Sequence, residues 1–393
     1  MAAETADVIV IGLGAVGSAV LRNLAEQGVR TVGVDRFHPP HELGSSHGES
    51  RITRLAVGEG PVYAPLVRRS HAIWRELEAR TGQSLFLECG GLILGPREGA
   101  ANHHGKNDFV RRTIDVAREC GIAHEVLDAA GIASRFPQFA LQGDELGYYE
   151  PSAGLVFPER CVSVQLGLAA ERGAVLHLGE AVRSIRQASG TVEVATDRRM
   201  IHAARAVLTA GPWVPGLAGG RVGDLARVYR QSLHWFAVED PAAYAPGRFP
   251  VFIWMHGASE EDYFYGFPAL PGTGTVKVAS ERYAAPVAPD SVERIVSAGE
   301  SAAIYHRHVA GRLRGVRPEC MRAAACLYTV TPDAGFIVDH LPDKPGVLVA
   351  SACSGHGFKH SAALGELLAA RALSQTVPLP EPFGLARYEG AAL

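Results

Sequence analysis

The chain has 393 residues, a length that predicts two or three domains of about 150 residues each. Hydrophobic residues make up 47% and charged residues 20%, a globular balance that argues against a disordered chain. The net charge of −3, with no long block of one sign, argues against a nucleic-acid partner. Glycine stands out with 44 residues, and because these follow no short period, they indicate tight turns and a close approach of backbone to a ligand.

The first fifty residues predict a strand, a glycine-rich turn, a helix and a second strand. A β-branched run at 7–11 precedes the turn, and apolar residues at helical spacing follow it as far as Gly28. A second β-branched run lies at 31–34. This order of elements is typical of a parallel α/β sheet.

The turn itself reads G-x-G-x-x-G and predicts a dinucleotide-binding domain. Gly12 allows the sharp bend, and Gly14 lets the backbone approach a pyrophosphate. Gly17 lets the helix pack closely on the strand. The second strand ends in Asp35, which is placed to accept hydrogen bonds from a ribose and disfavours NADP.

The fingerprint alone leaves NAD and FAD open, because both carry the same ADP half. Three later features together favour FAD. After the second strand comes a long polar loop at 38–54, which suits an extended cofactor. A late strand at 205–213 ends in small residues, and a further strand at 346–359 feeds a second glycine-rich turn and a helix. The amide groups of that turn would lie against a flavin ring.

The rest of the chain predicts a second domain built around a mostly antiparallel sheet. Helical spacing predicts helices near 66–80, 107–120, 161–172 and 290–309. Alternating or aromatic runs predict strands at 231–238, 249–255, 262–267 and 275–279. We predict an FAD-binding domain formed by 1–85, 150–215 and 322–393, and a substrate domain formed by 86–149 and 216–321. The interface between two such domains is the expected place for a small ligand.

The cysteine content predicts reduced thiols. The six cysteines are scattered and form no C-x-x-C pair, which argues against a disulfide framework and against a zinc site. The first residues lack a basic segment, and no stretch of about 18 apolar residues occurs. We therefore expect a cytoplasmic protein with no membrane partner, no nucleic-acid partner and no metal.

Several motifs occur in the order found in one known family. They are GSSHGESRITR at 44–54, GEG at 58–60, YGFP at 265–268, CLYT at 326–329 with later residues to Asp339, and SGHGFK at 354–359. On these motifs the chain resembles the monomeric sarcosine oxidases and N-methyltryptophan oxidases, within the D-amino-acid-oxidase-like group of FAD amine oxidases. The resemblance covers essentially the whole chain. It implies an α/β protein of the glutathione-reductase-like flavoprotein type, with a Rossmann-like FAD-binding domain made from an interrupted chain, and a monomer.

The resemblance also implies roles for five polar residues. Arg54 and Lys359 match the pair that holds the substrate carboxylate, which suits a bidentate guanidinium and an ammonium point charge. Lys277 matches the lysine that promotes reaction of reduced flavin with O2, because a fixed cation would stabilise the superoxide-like charge. Arg51 and His47 match residues beside the flavin.

Cys326 matches the cysteine to which family members attach FAD through its 8α position. A thiolate must attack there, so we expect nearby positive charge to depress the pKa of this thiol. Tyr265 matches a tyrosine of the substrate cavity, and Val182 a backbone contact near the adenine. We predict catalytic roles for Lys277, Arg51, Tyr265 and His47. The remaining predicted cofactor contacts are Ser46, Gly355, Gly357 and Lys359.

One position departs from the family. Sarcosine and N-methyltryptophan oxidases carry a histidine of the substrate pocket four residues after the oxygen-activating lysine, and here Glu281 stands there. A carboxylate in the pocket would repel a second anion and attract a cationic or hydroxyl-bearing group. This change leaves the expected chemistry intact and weakens the assignment of sarcosine itself as the substrate.

The sequence therefore predicts an FAD-dependent oxidase of a secondary-amine amino acid. The expected substrates are sarcosine and other N-methyl or cyclic amino acids, with oxidation to an imine and reduction of O2 to hydrogen peroxide. Three alternatives stay open: a flavin dehydrogenase that uses another acceptor, an NAD-dependent dehydrogenase, and a flavin-bound scaffold without activity.

Overall fold

A computed structural model describes residues 4–97, 103–374 and 376–389. Within these ranges the strands are β1 Glu4–Ile11, β2 Thr31–Asp35, β3 Arg51–Thr53, β4 Phe86–Glu88, β5 Gly91–Pro96, β6 Glu125–Asp128, β7 Glu145–Glu150, β8 Gly154–Val156, β9 Val175–Leu178, β10 Val182–Ala188, β11 Thr191–Thr196, β12 Met200–Leu208, β13 Arg227–Val238, β14 Val251–Met255, β15 Tyr263–Phe267, β16 Thr275–Ala279, β17 Val316–Val330, β18 Ile337–Leu341 and β19 Lys344–Ser351.

The α-helices are α1 Ala15–Glu26, α2 Ala64–Thr81, α3 Phe109–Glu119, α4 Ala129–Arg135, α5 Pro158–Glu171, α6 Val214–Ala218, α7 Gly220–Leu225, α8 Ala298–Ile304 and α9 Ser361–Leu373. Short 3-10 helices lie at Pro61–Tyr63, Gly211–Trp213, Phe358–His360, Glu381–Phe383 and Leu385–Tyr388, and a π-helical turn at Tyr305–Val309. Among the described residues, no helix has both the length and the apolar character needed to cross a membrane.

The first sheet has a parallel centre that matches the predicted Rossmann-like unit. β1 lies between β2 and β12, and β19 and β9 extend the parallel set. The four strands at its centre are rich in fully buried β-branched residues, which is typical of a sheet covered on both faces. Helix α1 buries Val20, Leu21 and Leu24 and packs against α5 and α9. The strand–turn–helix units at the two ends of the chain therefore lie side by side.

The second sheet has the order β17-β13-β16-β15-β14-β5-β7-β6 and is antiparallel except for the β5–β14 pair. The four predicted strands of the middle third are all part of it, which confirms the predicted α/β fold with an antiparallel second sheet. The predicted helix at 290–309 is wrong over its first part, because the α-helix begins at Ala298. Its N-cap is Ser297, whose hydroxyl accepts from the Glu300 amide in a capping box, a signal that marks this boundary.

Strand β17 is the last strand of the second sheet before the chain returns to the first sheet. It pairs with β13 from Val316 to Val330, so the second sheet continues past the boundary predicted at 322. Thereafter the chain returns to the first sheet through β18 and β19. A small third sheet, β3-β8-β4, carries Arg51 at the start of β3. The division into two domains at the stated boundaries stays a prediction.

Candidate active site

A long groove runs over the carboxyl end of the parallel strands. Its wall includes Gly12, Gly14 and Asp35 on one side and Val182 and Trp213 on the other. This is the place where open α/β sheets bind ligands. The groove therefore contains the predicted pyrophosphate turn, the predicted ribose acceptor and the predicted adenine contact.

Two glycines of the turn have a steric reason to be glycine. Gly12 has φ 87°, a conformation that L side chains rarely adopt. A Cβ on Gly17 would lie 1.8 Å from the carbonyl oxygen of Gly12, so only glycine permits this approach. Helix α1 begins at Ala15, within the glycine motif, and its N-terminus favours a negatively charged group there.

Asp35 is fixed by backbone amides at the end of β2. Its carboxylate accepts from the Leu13 amide at 2.7 Å and from the Phe37 amide at 2.8 Å. Burial raises the pKa of Asp35, and these two hydrogen bonds act in the opposite direction. The carboxylate therefore braces the glycine-rich turn as well as facing the groove.

A second, inner cavity continues from the groove. The two share a wall formed by Ala15, Val16, Ser45, Ser46, Ala352 and Cys353. The inner cavity is also lined by Arg54, Tyr265, Glu281 and Lys359. An elongated ligand in the groove can thus extend past this shared wall to the predicted substrate residues.

Arg54 and Lys359 give this inner cavity two buried cations. Lys359 follows the Gly355–Gly357 turn, lines the cavity and donates to the His356 carbonyl at 2.7 Å. Burial, reinforced by the charge of Arg54, lowers the pKa of Lys359 to about 7. Both side chains are almost completely buried, and a buried cation usually has an anionic partner.

The anionic groups of the inner cavity form one ionic chain with a histidine. Glu59 Oε2 lies 3.5 Å from Arg54 Nη2, and Glu59 Oε1 lies 3.0 Å from His104 Nδ1. His104 Nε2 lies 2.9 Å from Glu281 Oε2, which also accepts from the Tyr283 hydroxyl at 2.8 Å. Burial lowers the pKa of His104, but Glu281 and then Glu59 outweigh it and raise this pKa to about 9. His104 is therefore an imidazolium at neutral pH.

Aromatic rings line the inner cavity beside the ionic chain formed by Glu59, His104 and Glu281. His103 stacks on His104 with 3.7 Å between ring centroids and on Tyr263 with 4.2 Å. Tyr265 and Tyr328 place their hydroxyl oxygens 3.0 Å apart. Among the described residues, Glu59, His103 and His104 are the group whose ligand atoms lie close enough for a metal, within 4.8 Å. Both nitrogens of His104 already contact carboxylates, so the geometry matches an ionic chain better than a metal site.

Cys326 lies on β17, fully buried beneath the shared wall. Its Sγ accepts a hydrogen bond from Arg51 Nη2 at 3.4 Å. Burial raises the pKa of this thiol, while the charges of Arg51 and Lys277 act in the opposite direction. The expected positive charge is therefore in place, but the expected lowering of the pKa is wrong for this structure, because burial has the larger effect.

Lys277 is buried on β16 and held by two carbonyl groups of the polar loop. Its Nζ donates to the Gly48 oxygen at 2.8 Å and to the Ser50 oxygen at 2.6 Å. Burial, and then the charge of Arg51, lowers the pKa of Lys277 well below its usual value. Its ammonium also lies 3.8 Å from the ring centroid of Phe267. Lys277 lies next to Arg51 but does not line either cavity.

Comparisons with known proteins show the family of the chain. The family model described as FAD dependent oxidoreductase matches residues 7–371. The chain belongs to this family. Monomeric sarcosine oxidase of Streptomyces avermitilis is 35% identical over 379 residues, covering 96% of each chain. N-methyl-L-tryptophan oxidase of Salmonella arizonae is 32% identical over 390 residues, covering 97% of this chain and 99% of its own.

Solved structures show the same fold as this FAD dependent oxidoreductase. NikD, an unusual amino acid oxidase essential for nikkomycin biosynthesis, aligns with a TM-score of 0.82 at 23% identity, covering 97% of both chains. Glycine oxidase from Geobacillus kaustophilus aligns with a TM-score of 0.75 at 20% identity, covering 98% of this chain and 99% of its own. The fold is therefore that of flavoprotein amine oxidases.

The residues of this FAD dependent oxidoreductase fit the cofactor of its family. The groove begins at the glycine cradle, where an added Cβ would clash, and ends at the wall shared with the inner cavity. Next to that wall, both ring nitrogens of the fully buried His47 have no hydrogen-bond partner among the described residues. Burial, and then Arg51, lowers the pKa of His47 to about 3, so its ring is neutral. Such a ring can both donate to and accept from a bound flavin.

The structure brings most of the predicted residues to these two cavities. Arg51, Arg54, Tyr265, Glu281 and Lys359 line the inner cavity, together with Ser46, Gly355 and Gly357. The inner cavity is not lined by Cys326, Lys277 or His47. These three residues lie near Arg51, which donates to the Cys326 sulfur. Sequence reasoning assigned no role to Glu59, His103, His104 and Tyr283. Glu59 stands in the GEG motif, which was a usable signal, whereas no motif marks the two histidines.

Proposed function

We propose that this FAD dependent oxidoreductase is an oxidase of a secondary-amine amino acid, either sarcosine or another N-methyl or cyclic amino acid. The observation that carries this proposal is the pair of buried cations, Arg54 and Lys359, in a cavity that opens directly into the dinucleotide groove. Two cations at one buried wall are suited to a substrate carboxylate. The relatives named for sarcosine and N-methyl-L-tryptophan oxidation support the same substrate class.

The side chains of the cavity would orient the substrate. With its carboxylate between Arg54 and Lys359, the amine-bearing carbon would face the wall shared with the groove. FAD bound there would accept a hydride from that carbon and pass the electrons to O2, which yields hydrogen peroxide. The imine product then hydrolyses in water. A substrate amine that binds as the neutral base has an electron pair available, so we assign no side chain as an obligatory base.

In its protonated form, Lys277 would supply the fixed positive charge for the oxygen half-reaction. Gly48 and Ser50 hold its ammonium in one position, which is the arrangement expected for stabilisation of a developing anion. Lys277 is among the lining residues of neither cavity, which is consistent with a role at the flavin and not at the substrate. Arg51 lies between Lys277 and the inner cavity and would stabilise negative charge on the reduced ring.

Cys326 is the proposed point of covalent attachment of FAD. It lies beneath the loop that carries Ser45 and Ser46, and Arg51 donates to its sulfur. Arg51 and Lys277 favour the thiolate that must attack the cofactor. We further propose that the enzyme acts as a cytoplasmic monomer, which size-exclusion chromatography of the holoenzyme tests.

The function is tested by a screen of N-methyl and cyclic amino acids for peroxide release in air. We expect at least one N-methyl or cyclic amino acid to give peroxide in proportion to the substrate consumed. If the protein is yellow and folded but none of these amino acids gives peroxide, the proposed oxidase activity is refuted. If a substrate bleaches the flavin without oxygen but reoxidation in air takes minutes, the enzyme is a dehydrogenase that uses another acceptor. A colourless protein that reduces NAD would indicate the nicotinamide alternative.

A further inference from the structure

The ionic chain through His104 is the feature of the inner cavity that the predicted motifs do not explain. Side chains of Glu59, His104 and Glu281 are each at most 5% exposed, so water does little to screen their charges. His104 belongs to the connection between β5 and α3, while Glu281 follows β16. Two distant parts of the chain therefore meet here in a contact of 2.9 Å.

Glu281 by itself would oppose the binding of a carboxylate. It lines the same cavity as Arg54 and Lys359. An added buried carboxylate lowers the positive potential that those two cations create. Without a compensating cation, Glu281 would thus weaken the attraction of Arg54 and Lys359 for the substrate carboxylate.

His104 supplies the missing positive charge from a different loop. Its two ring N–H groups point to Glu59 and Glu281, at 3.0 and 2.9 Å, which fixes the ring between two anions. A buried imidazolium is stable only in such a position, since burial alone disfavours its charge. With His104 charged, the inner cavity keeps a net positive balance when Lys359 is protonated.

We propose that His104 is a positioning and specificity-determining residue, a compensating cation that cancels the charge of Glu281 and so keeps the cavity selective for a carboxylate-bearing substrate. The proposal rests on the proposed function in one respect, namely that Arg54 and Lys359 bind a carboxylate. The ring of His103 and the hydroxyl of Tyr283 hold this arrangement in place.

The test measures carboxylate binding without turnover. Acetate is titrated into the holoenzyme, and its dissociation constant is read from the change in flavin absorbance. The variants are His104→Gln, Glu281→Gln and the double variant His104→Gln/Glu281→Gln. Loss of one positive charge about 8 Å from the bound carboxylate, at an effective dielectric constant of about 20, corresponds to roughly 30-fold weaker binding. We expect that loss for H104Q, and affinity within about threefold of wild type for the double variant, which removes both charges.

Recovery in the double variant separates charge compensation from a folding defect, because a damaged cavity would not be repaired by a second substitution. E281Q alone is expected to bind acetate at least as tightly as wild type. Two results would overturn the proposal: an H104Q dissociation constant equal to that of wild type, or a double variant as weak as H104Q. If acetate leaves the flavin spectrum of the wild-type protein unchanged at high concentration, the carboxylate site itself is refuted, and the proposed function fails with it.

Discussion

The buried ammonium of Lys359 makes carboxylate binding depend on pH near neutrality. Burial, and then the charge of Arg54, lowers its pKa from the ordinary value of 10.5 to about 7. Below pH 7 the side chain is charged and binds an anion, and above pH 7 the anion must bring a proton with it. The dissociation constant of acetate should therefore be constant below pH 7 and should rise about tenfold per pH unit above it.

The neighbouring groups do not titrate in the same window. Glu59 and Glu281 have lowered pKa values and stay ionised, and His356, with a pKa lowered to about 3, stays neutral. His104 is charged up to about pH 9. Acetate has no amine, and carboxyl groups titrate near pH 4, so the probe itself is unchanged between about pH 6 and 8.5. A step near pH 7 that is lost in the Lys359→Met variant thus reports Lys359.

The assay is a series of acetate titrations followed by flavin absorbance across this range. Lys359→Met should abolish the step and weaken binding about 10- to 100-fold at pH 6, the value of a charge-assisted hydrogen bond. Lys344→Met is the matched control, because Lys344 pairs with Asp343 at the surface. A dissociation constant that stays flat from pH 6 to 8.5 in the wild type, or a step that persists in K359M, would refute this reasoning.

Three further predictions follow from the other parts of the site. On acid precipitation, the Cys326→Ser variant should release all of its flavin into the supernatant, while the wild-type protein should keep its flavin in the pellet. A yellow supernatant from the wild-type protein would contradict covalent attachment. Lys277→Met should slow reoxidation of reduced flavin by O2 about 10²- to 10³-fold with anaerobic flavin reduction preserved, whereas an unchanged stopped-flow reoxidation rate would exclude that role. Gly17→Ala should destabilise the protein by at least about 3 kcal/mol and lose FAD, because its Cβ would lie 1.8 Å from a carbonyl oxygen. The control Gly167→Ala, with open space around it in α5, should stabilise by about 0.5–1 kcal/mol in the same thermal denaturation.

The sequence predicted the fold and the groove because their signals are local. The turn from Gly12 to Gly17 is read from six consecutive residues, and the strands on either side of it are continuous β-branched runs. The substrate cations were equally accessible, since Arg54 and Lys359 each lie in a motif. These features follow from residues that are neighbours in the chain.

The pairing of Glu59 and Glu281 through His104 could not be predicted, because the three residues are distant in sequence and no motif marks His104. His104 and Glu281 are 177 positions apart and meet only when β5 and β16 lie in one sheet. The pKa of Cys326 was missed for a related reason. Positive charge near the thiol was expected, but the complete burial that opposes the charges of Arg51 and Lys277 depends on the packing of β17.

The position of Cys326 on β17 has a mechanical consequence. β17 is hydrogen-bonded to β13 throughout the second sheet, and Cys326 lies opposite Gln231 in that pairing. A cofactor anchored at the glycine turn of the first sheet and bonded to Cys326 would be a covalent strut between the two sheets. Neither sheet could then move away from the other without breaking that bond or withdrawing the pyrophosphate from its turn. Covalent attachment would thus make the two sheets unfold together. FAD would then stabilise the fold as well as take part in the reaction.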